Sequence, residues 1–494
     1  MSDPVILWFR NDLRLDDHAG AAAALASGRP ILPLYIWDVS LFTRPPGAAG
    51  RWWLRQSLQA LDEDLRKRQS RLIVAQGHSA IVLGDISRKY KVKTIYCGDI
   101  FEPLVKVLDS EVRHHLNDQH IELKNANTTL LAEPNALKTK SGRPFQVFTP
   151  FGRAMVDSGL AYVDKLPANP EVTWSVPSTW PDSLSIKDLP LDSRTRSGLD
   201  WAAGFAIFTP GENGAKRALE RFIAHGLHDY ADGRDRPDLD ATSGLSPHLR
   251  FGEISPRRVL HDVDDAARLD PRLRPGAAKF RTEMLWREFC YGLLAQQSQL
   301  HEVNFRHDFN DFPWREDQAG FRAWTRGETG YPLVDAGMRQ LWRTGWMHNR
   351  VRMVAASFLV KHLLIDWRRG EQWFWDCLVD ADSANNPANW QWVAGCGADA
   401  APYFRIFNPL TQAEKFDPDG AYRTRFISGY TLAAGQKPQA DIFDHAGKHL
   451  QAGKDWANAT YAKPIVDHDF ARRRALAAFQ TMRAARDDED DHAD

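Results

Sequence analysis

The sequence predicts two folded domains, an α/β domain with a parallel sheet and an all-α domain, joined by a long connector. Three observations lead to this prediction. The chain has 494 residues, more than the roughly 250 residues that one hydrophobic core usually serves. Short β-branched runs alternate with helical stretches only in the first part of the chain. From about residue 204 onward, nearly all of the apolar periodicity is helical.

The first domain is predicted to span residues 1–130. The runs expected to form strands are Val5–Phe9, Ile31–Ile36, Leu72–Ala75, Thr94–Cys97 and Ile121–Leu123. The stretches between them with helical spacing are Ala19–Ala26, Arg51–Arg68, Ser79–Tyr90 and Glu102–Leu116. Strands that alternate with helices indicate a Rossmann-like parallel sheet with helices on both faces and right-handed crossovers.

The rest of the chain divides into three predicted parts. Residues 131–203 contain eight prolines and no strong period, so we expect a long inter-domain connector. Residues 204–480 form the helical domain, with helices expected at Ala215–His225, Lys279–Leu294, Tyr331–Thr344, Asn349–Leu364 and Glu371–Val379. Residues 481–494 are expected to be a disordered acidic tail, with six acidic residues from Asp487 to Asp494.

Composition excludes several classes of protein. The 63 Lys and Arg residues nearly balance 64 Asp and Glu residues, which excludes a generally basic nucleic-acid coat but leaves room for a local basic groove. No apolar run approaches the roughly 18 residues of a membrane span, and the N-terminus does not have the pattern of a signal peptide. The four cysteines form no CxxC motif, so we expect a reduced, cytoplasmic protein.

The common catalytic and metal motifs are absent from the sequence. No GxGxxG follows the first strand, and no P-loop, HExxH or GxSxG occurs. His445 and His449 have helical metal-ligand spacing but lack a third ligand nearby, so no metal site is predicted. Tryptophan is the unusual residue: nine of the 18 lie between Trp314 and Trp392. A large core would account for any one of them, but it explains the clustering less well.

Two local signals have the composition of a binding site. In Thr242–Ser246, Ser246 suits an N-cap and Pro247 a first helical turn, so the segment could bind an anion. An ordinary capped helix, such as the one expected at Ser255, is the alternative. Glu283, Trp286 and Arg287 share one helix face. Together they suit a planar heterocycle with a phosphate, or else form a surface salt bridge beside a core tryptophan.

Two further segments are unusually polar. Trp346–Met353 places polar residues at the start of a helix that becomes apolar, which indicates a site at the helix end or a plain capping region. Asp380–Trp392 holds two carboxylates, three asparagines and two tryptophans around Pro387. Such groups can satisfy the edges of a polar ring system. A carboxylate dyad for acid–base hydrolysis is the rival interpretation.

Together, in this order, these segments resemble the photolyase–cryptochrome family. Leu7–Asp17 resembles the family's first strand and turn, and Gly330–Leu341, Trp346–Met353 and Ala398–Pro409 resemble its helical domain. The likeness runs from about residue 4 to about residue 427 and resumes at Tyr461–Phe479. It implies a helical domain that binds FAD. In repair members, excited reduced flavin donates an electron to a cyclobutane pyrimidine dimer flipped out of UV-damaged DNA.

The resemblance also implies roles for individual residues. Flavin phosphate and ribityl contacts match Tyr230, Thr242, Ser243, Gly244, Leu245 and Ser246, and Arg287 matches a phosphate neighbour. Asp380 and Asp382 match acceptors around the flavin, with Arg352 as the ion-pair partner of Asp380. Asn386 matches the residue that faces the flavin N5.

The implied DNA and electron-transfer residues form three sets. The pocket for the flipped dimer matches Glu283, Trp286, Asn349, Arg350, Met353 and Trp392, and contacts with the DNA backbone match Arg405 and Gln412. An electron relay from the flavin to the surface matches Trp390, Trp367 and Trp314. Glu283, Asn386 and the three relay tryptophans are therefore the predicted catalytic residues.

Three positions depart from the family pattern. Phe280 replaces a common tryptophan, so flavin packing should survive, and the segment from Arg425 to about Asn458 has no assigned role. Val105 stands near the position of a glutamate that holds a folate antenna in well-known bacterial members. Arg51–Leu54 instead resembles a class III branch in which folate binds elsewhere. A methenyltetrahydrofolate antenna is the first expectation, followed by a deazaflavin and then by no antenna.

The expected activity is repair of cyclobutane dimers by a monomeric class I or class III enzyme. A blue-light receptor and a six-four photoproduct enzyme are the alternatives. Asn349 and Asn386 differ from the aspartates of plant receptors, and Asn349 and Met353 differ from the histidines of six-four enzymes.

Overall fold

The structure is a computed structural model that describes residues 3–167, 173–192, 201–399, 404–427 and 461–491. The divergent segment after Ile427 and the histidine pair His445 and His449 lie outside the described residues. Within the described ranges, no helix is both long and apolar enough to cross a membrane. All four cysteines are buried and unpaired.

The N-terminal part is a five-stranded parallel sheet, as predicted. Its strands are β1 (Val5–Phe9), β2 (Ile31–Trp37), β3 (Ile73–Gln76), β4 (Thr94–Gly98) and β5 (Glu122–Ala126), in the order β3-β2-β1-β4-β5. Strand β1 is central and completely buried. Alternate β1 residues pack into two different cores, Val5 and Leu7 on one face and Ile6 and Trp8 on the other.

Four helices cover the two faces of this sheet. They are α1 (Ala19–Ala26), α2 (Ala48–Lys67), α3 (Ser79–Tyr90) and α4 (Pro103–Asn117). The predicted strands and helices of this domain end within three residues of the observed ones. This agreement follows from the strong contrast between short β-branched runs and longer stretches with helical spacing.

The strand order reverses between β1 and β4, where ligands of open α/β sheets usually bind. In this chain, side chains fill the crevice at that point. Arg10, at the end of β1, pairs with Asp109. Asp12 accepts a hydrogen bond of 3.0 Å from the Thr128 hydroxyl, and a Cβ at Gly98 would overlap both of these side chains. The crevice is therefore part of the packed interior.

The connector contains a helix that the sequence analysis missed. Helix α5 spans Phe148–Asp157, with Phe148 and Met155 buried. The expectation of a stretch without regular structure over residues 131–203 is therefore wrong here. Phe148, Phe151 and Met155 have helical spacing, and Pro150 is accommodated in the first turn, where no intrahelical N–H bond is lost.

The remainder is helical, as predicted. Its helices are α6 (Glu212–Arg221), α7 (Tyr230–Gly233), α8 (Ser246–Arg250), α9 (Pro256–Leu269), α10 (Arg274–Gln296), α11 (Gln318–Arg326), α12 (Pro332–Thr344), α13 (Asn349–Ser357), α14 (Trp367–Cys377), α15 (Asn385–Ala394), α16 (Pro409–Phe416), α17 (Ala421–Ile427) and α18 (His468–Asp491). One π-helical turn follows α6 and another follows α13. The helices enclose two cores, and α15 contributes Ala388 to one and Trp390 to the other.

The C-terminal helix α18 differs from the expected tail. It continues to Asp491, so the prediction of disorder from residue 481 is wrong over most of that range. Met482 is buried and continues the apolar face of the helix beyond Ala475. Good helix formers such as Ala484 extend the helix further. Residues 492–494 lie outside the described chain.

The α/β and helical parts meet at the loop after β1. The Leu13 amide donates to the Phe251 carbonyl (3.1 Å), and the Arg14 guanidinium donates to the Gly252 carbonyl (3.0 Å). Gly252 has φ +63°, and a Cβ there would overlap the backbone at Asn11. A glycine is therefore required where the two parts come into backbone contact.

Candidate functional site

A cavity of about 510 Å³ lies among α7, α8, α10, α13, α15 and the segment before α15. This volume is within the range of small-molecule sites. The structure brings all the predicted cofactor residues to its walls: Tyr230, Thr242, Ser243, Gly244, Leu245, Ser246, Arg287, Arg352, Asp380, Asp382 and Asn386. Six predicted dimer-pocket residues line the same cavity: Glu283, Trp286, Asn349, Arg350, Met353 and Trp392.

One wall is held by an ion pair between α13 and the segment before α15. The Asp380 carboxylate is buried and receives two hydrogen bonds from the Arg352 guanidinium, at 3.1 and 2.8 Å. The Ser246 hydroxyl donates to the same carboxylate at 2.6 Å. Bidentate pairing with a guanidinium offsets the cost of burying the carboxylate. The predicted partnership of Arg352 with Asp380 is present in the structure.

Ser246 does not cap a helix as predicted. It is the first residue of α8, whose N-cap is Leu245 without a side-chain cap bond. Its hydroxyl is directed to Asp380 instead, because that carboxylate approaches from another part of the chain. Ser255, which the sequence analysis gave as an example of an ordinary helix cap, does cap α9. Its hydroxyl accepts a hydrogen bond from the Arg258 amide at 2.8 Å.

Asp382 lies two residues before Ala384, the N-cap of α15, and its carboxylate accepts hydrogen bonds from the backbone N–H groups at the start of that helix. One carboxylate oxygen accepts from the Ala384 and Asn385 amides at 2.9 and 2.5 Å, and the other accepts from the Asn385 side chain at 2.8 Å. This is the arrangement that satisfies the free N–H groups at a helix start. These hydrogen bonds fix the beginning of the helix that carries Asn386 into the cavity wall.

Asn386 is linked to the α/β domain through a buried carboxylate. Its amide donates to the Glu371 side chain at 2.7 Å and to the Glu371 carbonyl at 3.1 Å. Arg44, from the loop between β2 and α2, forms a bidentate pair with Glu371 and lies 3.7 Å from the Trp375 ring. Sequence reasoning missed Arg44 and Glu371, because each is an ordinary charged residue in its own segment.

The predicted face of α10 is present, and each of its members has a partner. Glu283 pairs with Arg234 and, at 3.0 Å, with Lys279. Arg287 donates to the Thr129 carbonyl at 2.9 Å and also contacts the neighbouring Glu288 carboxylate.

The Glu288 carboxyl is buried beneath this face. Burial raises its pKa to about 7, although the Arg287 guanidinium acts in the opposite direction. The Leu131 amide, in the connector, donates to it at 2.9 Å. Arg287 thus lies where α10 meets the connector, and its role as a phosphate neighbour stays a prediction.

Aromatic rings form another part of the wall. Trp286 stacks on Phe148 with ring centres 3.7 Å apart and planes at 8°, and the Trp392 indole donates to the Asp399 carbonyl at 3.0 Å. Phe148 comes from the helix that the sequence analysis missed. The helical spacing of the connector phenylalanines was the signal that could have revealed it. The stack fixes the orientation of Trp286.

The mouth of the cavity carries the residues at the start of α13. Asn349 is exposed, with its amide 3.9 Å from the Met353 sulfur. Arg350 pairs with Asp235 at 2.6 Å and lies 4.3 Å from the Phe416 ring. The Asn349 amide, the Arg350 guanidinium and the Met353 thioether therefore meet at one rim of the cavity.

His348 caps α13 next to these residues and accepts from the Arg350 amide at 3.2 Å. Burial lowers the pKa of His348 to about 4, although the Asp235 carboxylate acts in the opposite direction. The ring is therefore neutral at pH 7. The expected capped helix start is present, and residues of this segment line the cavity; their role in binding stays a prediction.

Trp390 lines the cavity, whereas Trp367 and Trp314 lie behind it. Trp367 is fully buried, and its indole donates to the Asn304 side chain at 2.8 Å. A Cβ at Gly370, one turn after Trp367 on α14, would overlap the Trp390 ring. Trp314 is half-buried against the same core. The three tryptophans therefore differ in burial: Trp390 lines the cavity, Trp367 is fully buried, and Trp314 is half-buried.

Arg405 and Gln412 do not line this cavity. They lie in an adjacent open groove of about 1100 Å³, to which Arg350 and Asp235 also contribute. The predicted DNA-backbone residues are thus separated from the predicted dimer pocket by a shared rim.

Two family models of known proteins match this chain, one in the α/β part and one in the helical part. The family model described as DNA photolyase matches residues 5–171, and the model described as FAD binding domain of DNA photolyase matches residues 280–481. The chain is 46% identical to the deoxyribodipyrimidine photo-lyase of Agrobacterium fabrum, covering 97% of this chain and 98% of that protein. It is 33% identical to Cryptochrome-1 of Arabidopsis thaliana, covering 97% and 70% respectively.

Solved structures show the same likeness. The crystal structure of a bacterial class III photolyase from Agrobacterium tumefaciens matches with a TM-score of 0.86 and 45% identity over 98% of each chain. A cryptochrome from Synechocystis matches with a TM-score of 0.80 and 29% identity, covering 97% of this chain and 99% of that one.

The parallel-sheet domain, the helical domain and the charged and aromatic cavity within it define a flavoprotein of two domains. The chain belongs to the DNA photolyase family, and its helical part contains the FAD-binding domain of that family. The cavity fits this cofactor: hydroxyls such as those of Thr242 and Ser243 suit phosphate groups, and the walls also hold flat apolar rings.

The Arg44–Glu371 pair leads to a stability prediction. Glu371 has a side-chain exposure of 2%, so Arg44→Met should lower the free energy of unfolding by about 3 kcal/mol, because it leaves a buried carboxylate unpaired. Methionine preserves packing on Trp375. The double variant Arg44→Met/Glu371→Gln should recover part of this loss, because the neutral amide still accepts from Asn386.

Chemical denaturation of Arg44→Met, Glu371→Gln and the double variant measures the coupling energy between the two side chains. If the double variant is no more stable than Arg44→Met alone, then the ion pair is not the reason for the loss.

Proposed function

We propose that this protein is a deoxyribodipyrimidine photo-lyase that uses FAD to repair cyclobutane pyrimidine dimers in DNA under light. The observation that carries the proposal is a single cavity whose walls hold both the residues matched to the flavin and those matched to the flipped dimer. The higher identity to a photo-lyase than to a plant cryptochrome supports repair over light signalling.

In this proposal, three groups of side chains hold the cofactor. The Arg352–Asp380 pair and the Ser246 hydroxyl provide a fixed polar wall, and Thr242 and Ser243 provide further hydroxyls. Phe280 packs against Tyr230 with ring centres 5.3 Å apart, so an aromatic wall remains at that position. When bound, reduced FAD supplies the electron that splits the dimer under excitation, and it recovers that electron afterwards.

The dimer would enter beside this cofactor from the rim at Asn349. A flipped base pair needs flat walls and groups that bind its edges. Trp286 is already stacked and Trp392 is held by a hydrogen bond, so both rings are positioned before DNA arrives. Glu283 and Asn349 provide polar atoms for the base edges.

DNA-backbone contacts would come from Arg350, Arg405 and Gln412 on the outer side of the same rim. In this proposal the protein acts as a monomer. We place it in the cytoplasm, consistent with its four unpaired cysteines.

Repair assays test the proposed substrate. Chemically reduced enzyme under light should restore thymines in an oligonucleotide with a cyclobutane dimer and leave a six-four photoproduct unchanged. Glu283→Gln should reduce dimer repair about tenfold, because it weakens one charge-assisted hydrogen bond of roughly 1.5 kcal/mol. Bound FAD should stay unchanged, since the contacts of Ser246 and Asp380 are preserved.

The matched control is Glu220→Gln, an exposed glutamate on α6. Repair of the six-four lesion alone, or no repair by the reduced enzyme, would reject the proposed function. Equal activity of Glu283→Gln and the parent enzyme would reject only the role of Glu283.

We also propose that Trp390, Trp367 and Trp314 carry electrons from the surface to the cofactor. Their support is their graded burial. Trp390 lines the cavity, Trp367 is fully buried and lies one turn before Gly370, which is packed against the Trp390 ring, and Trp314 is half-buried. Trp367→Phe should abolish photoreduction of the oxidised cofactor, because phenylalanine is much harder to oxidise. Repair by enzyme reduced beforehand should persist, because the dimer lies against Trp286.

Flavin bleaching under blue light with an external reductant, and repair after dithionite treatment, are measured on the same preparation. Trp53→Phe is the control, because Trp53 is equally buried and its indole also donates a hydrogen bond. A purely structural role would cost about 1–3 kcal/mol of stability and would affect both activities or neither. Normal photoreduction in Trp367→Phe would contradict the relay.

The antenna that we propose is methenyltetrahydrofolate, bound near the half-buried Trp52 on α2. Two features argue against other sites. Val105 is buried on α4 and offers no acceptor, and the crevice at the strand reversal, where open α/β sheets usually bind ligands, is filled around Arg10 and Asp12.

The absorption spectrum of the purified protein supplied with this folate should show a near-ultraviolet band in addition to the flavin bands. Trp52→Ala should remove that band alone. A spectrum containing only flavin bands would favour the absence of an antenna.

A further inference from the structure

The loop between β2 and α2 connects the α/β domain to the stretch of chain that enters α15. Thr43 of this loop donates to the Glu102 carboxylate at 2.6 Å, and the same carboxylate oxygen accepts from the Ser383 hydroxyl at 3.0 Å. Arg44, the next residue, donates to both side-chain oxygens of Glu371. Two consecutive loop residues of the α/β domain therefore act, each through one carboxylate, on the helical domain.

The Glu371 branch of this connection fixes the side chain of Asn386. A side-chain amide has two N–H hydrogens and one oxygen that accepts. The Asn386 nitrogen donates to the Glu371 carboxylate at 2.7 Å and to the Glu371 carbonyl at 3.1 Å, which uses both hydrogens. The oxygen receives no hydrogen bond from the part of the chain that the structure describes, and Asn386 lines the cavity. Asn386 therefore offers the cavity an acceptor rather than a donor.

Arg44 keeps Glu371 in the position that this arrangement needs. A guanidinium has only donors, so its bidentate pair with Glu371 holds both carboxylate oxygens as acceptors. Arg44 is itself held, because its guanidinium lies 3.7 Å from the centre of the Trp375 ring. Without Arg44, the buried carboxylate would be an unpaired charge. It would turn towards water and leave one N–H group of Asn386 without its acceptor.

An acceptor at this place in the wall distinguishes between two forms of a flavin. Reduced FAD carries a hydrogen on the ring nitrogen N5, where oxidised FAD has a lone pair. A fixed acceptor that faces N5 therefore binds the reduced form more strongly than the oxidised form. Hydrogen bonds to ring nitrogens are one of the ways in which a protein tunes such a cofactor.

We propose that Arg44 is a positioning residue for the cofactor site. From the α/β domain, and through Glu371, it holds Asn386 as an acceptor towards the flavin and so favours the reduced cofactor. This inference rests on the proposed function, in which FAD occupies the cavity with its N5 facing Asn386. It gives the α/β domain a part in the redox properties of the helical domain.

The midpoint potential of bound FAD, measured without DNA, tests this role. Arg44→Met should lower the ratio of reduced to oxidised FAD at a fixed potential by about tenfold, which is about 30 mV for a two-electron couple. The reason is the loss of the contact that holds Asn386, and a hydrogen bond of ordinary net strength has an effect of this size.

Two double variants separate hydrogen bonding from charge. Arg44→Met/Glu371→Gln and Arg44→Met/Glu371→Leu both have the net charge of the parent protein. Only the glutamine side chain keeps an acceptor for Asn386. The potential of the glutamine variant should therefore equal that of the parent protein, whereas the potential of the leucine variant should be lowered as in Arg44→Met.

Asp376→Ala is the matched control for a weakened contact between the domains. The Asp376 carboxylate accepts from the Ala48 amide at 2.8 Å, so its removal loosens the same region but leaves the bond between Glu371 and Asn386 in place. The potential of this variant should equal that of the parent protein. FAD content is measured for every variant, so that potentials are compared at equal occupancy.

Three outcomes would overturn the inference: an unchanged potential in Arg44→Met, equal potentials in the two double variants, or an equal loss in Asp376→Ala. If Arg44→Met does not fold, the comparison of the two double variants decides. The proposed function fails separately, when the reduced enzyme does not repair a cyclobutane dimer. In that case the potentials still decide whether Arg44 positions the cofactor site.

Discussion

Two buried carboxylates around one cavity require cations, and much of the site depends on how the chain supplies them. Asp380 is compensated by Arg352 from α13, and Glu371 by Arg44 from the α/β domain. An unpaired carboxylate in this interior would cost several kcal/mol. Each pair therefore joins two different elements, 28 residues apart in the chain for Arg352–Asp380 and 327 for Arg44–Glu371, and holds them at a set position around the cavity.

These ion pairs position other side chains that have no charge. Glu371 holds the amide of Asn386, and Asp380 holds the hydroxyl of Ser246, so both polar groups have fixed orientations in the cavity wall. The aromatic side is positioned by packing instead, through the stack of Trp286 on Phe148. Preorganised groups lose little conformational freedom when a ligand binds. The cavity is thus built before cofactor or DNA occupies it.

The two domains differ in whether their interior leaves room for a ligand. In the α/β domain, the crevice where a parallel sheet usually binds a ligand is closed by Arg10, Asp109 and Asp12. In the helical domain, α15 separates two cores and leaves the cavity between them. The cavity matched to the flavin therefore lies among the helices and not at the sheet crevice, where ligands of this fold class usually bind.

The sequence by itself determined the parallel sheet, the helical domain and, through a family resemblance, the residues that line the cavity, because periodicity and short motifs are local properties. The tertiary structure decided which side chains meet. Arg44 reaches Glu371 over more than three hundred residues, Phe148 reaches Trp286 from a connector without evident order, and Ser246 bonds to Asp380 rather than capping its helix. Such contacts depend on chain packing, since a single residue type does not specify its distant partner.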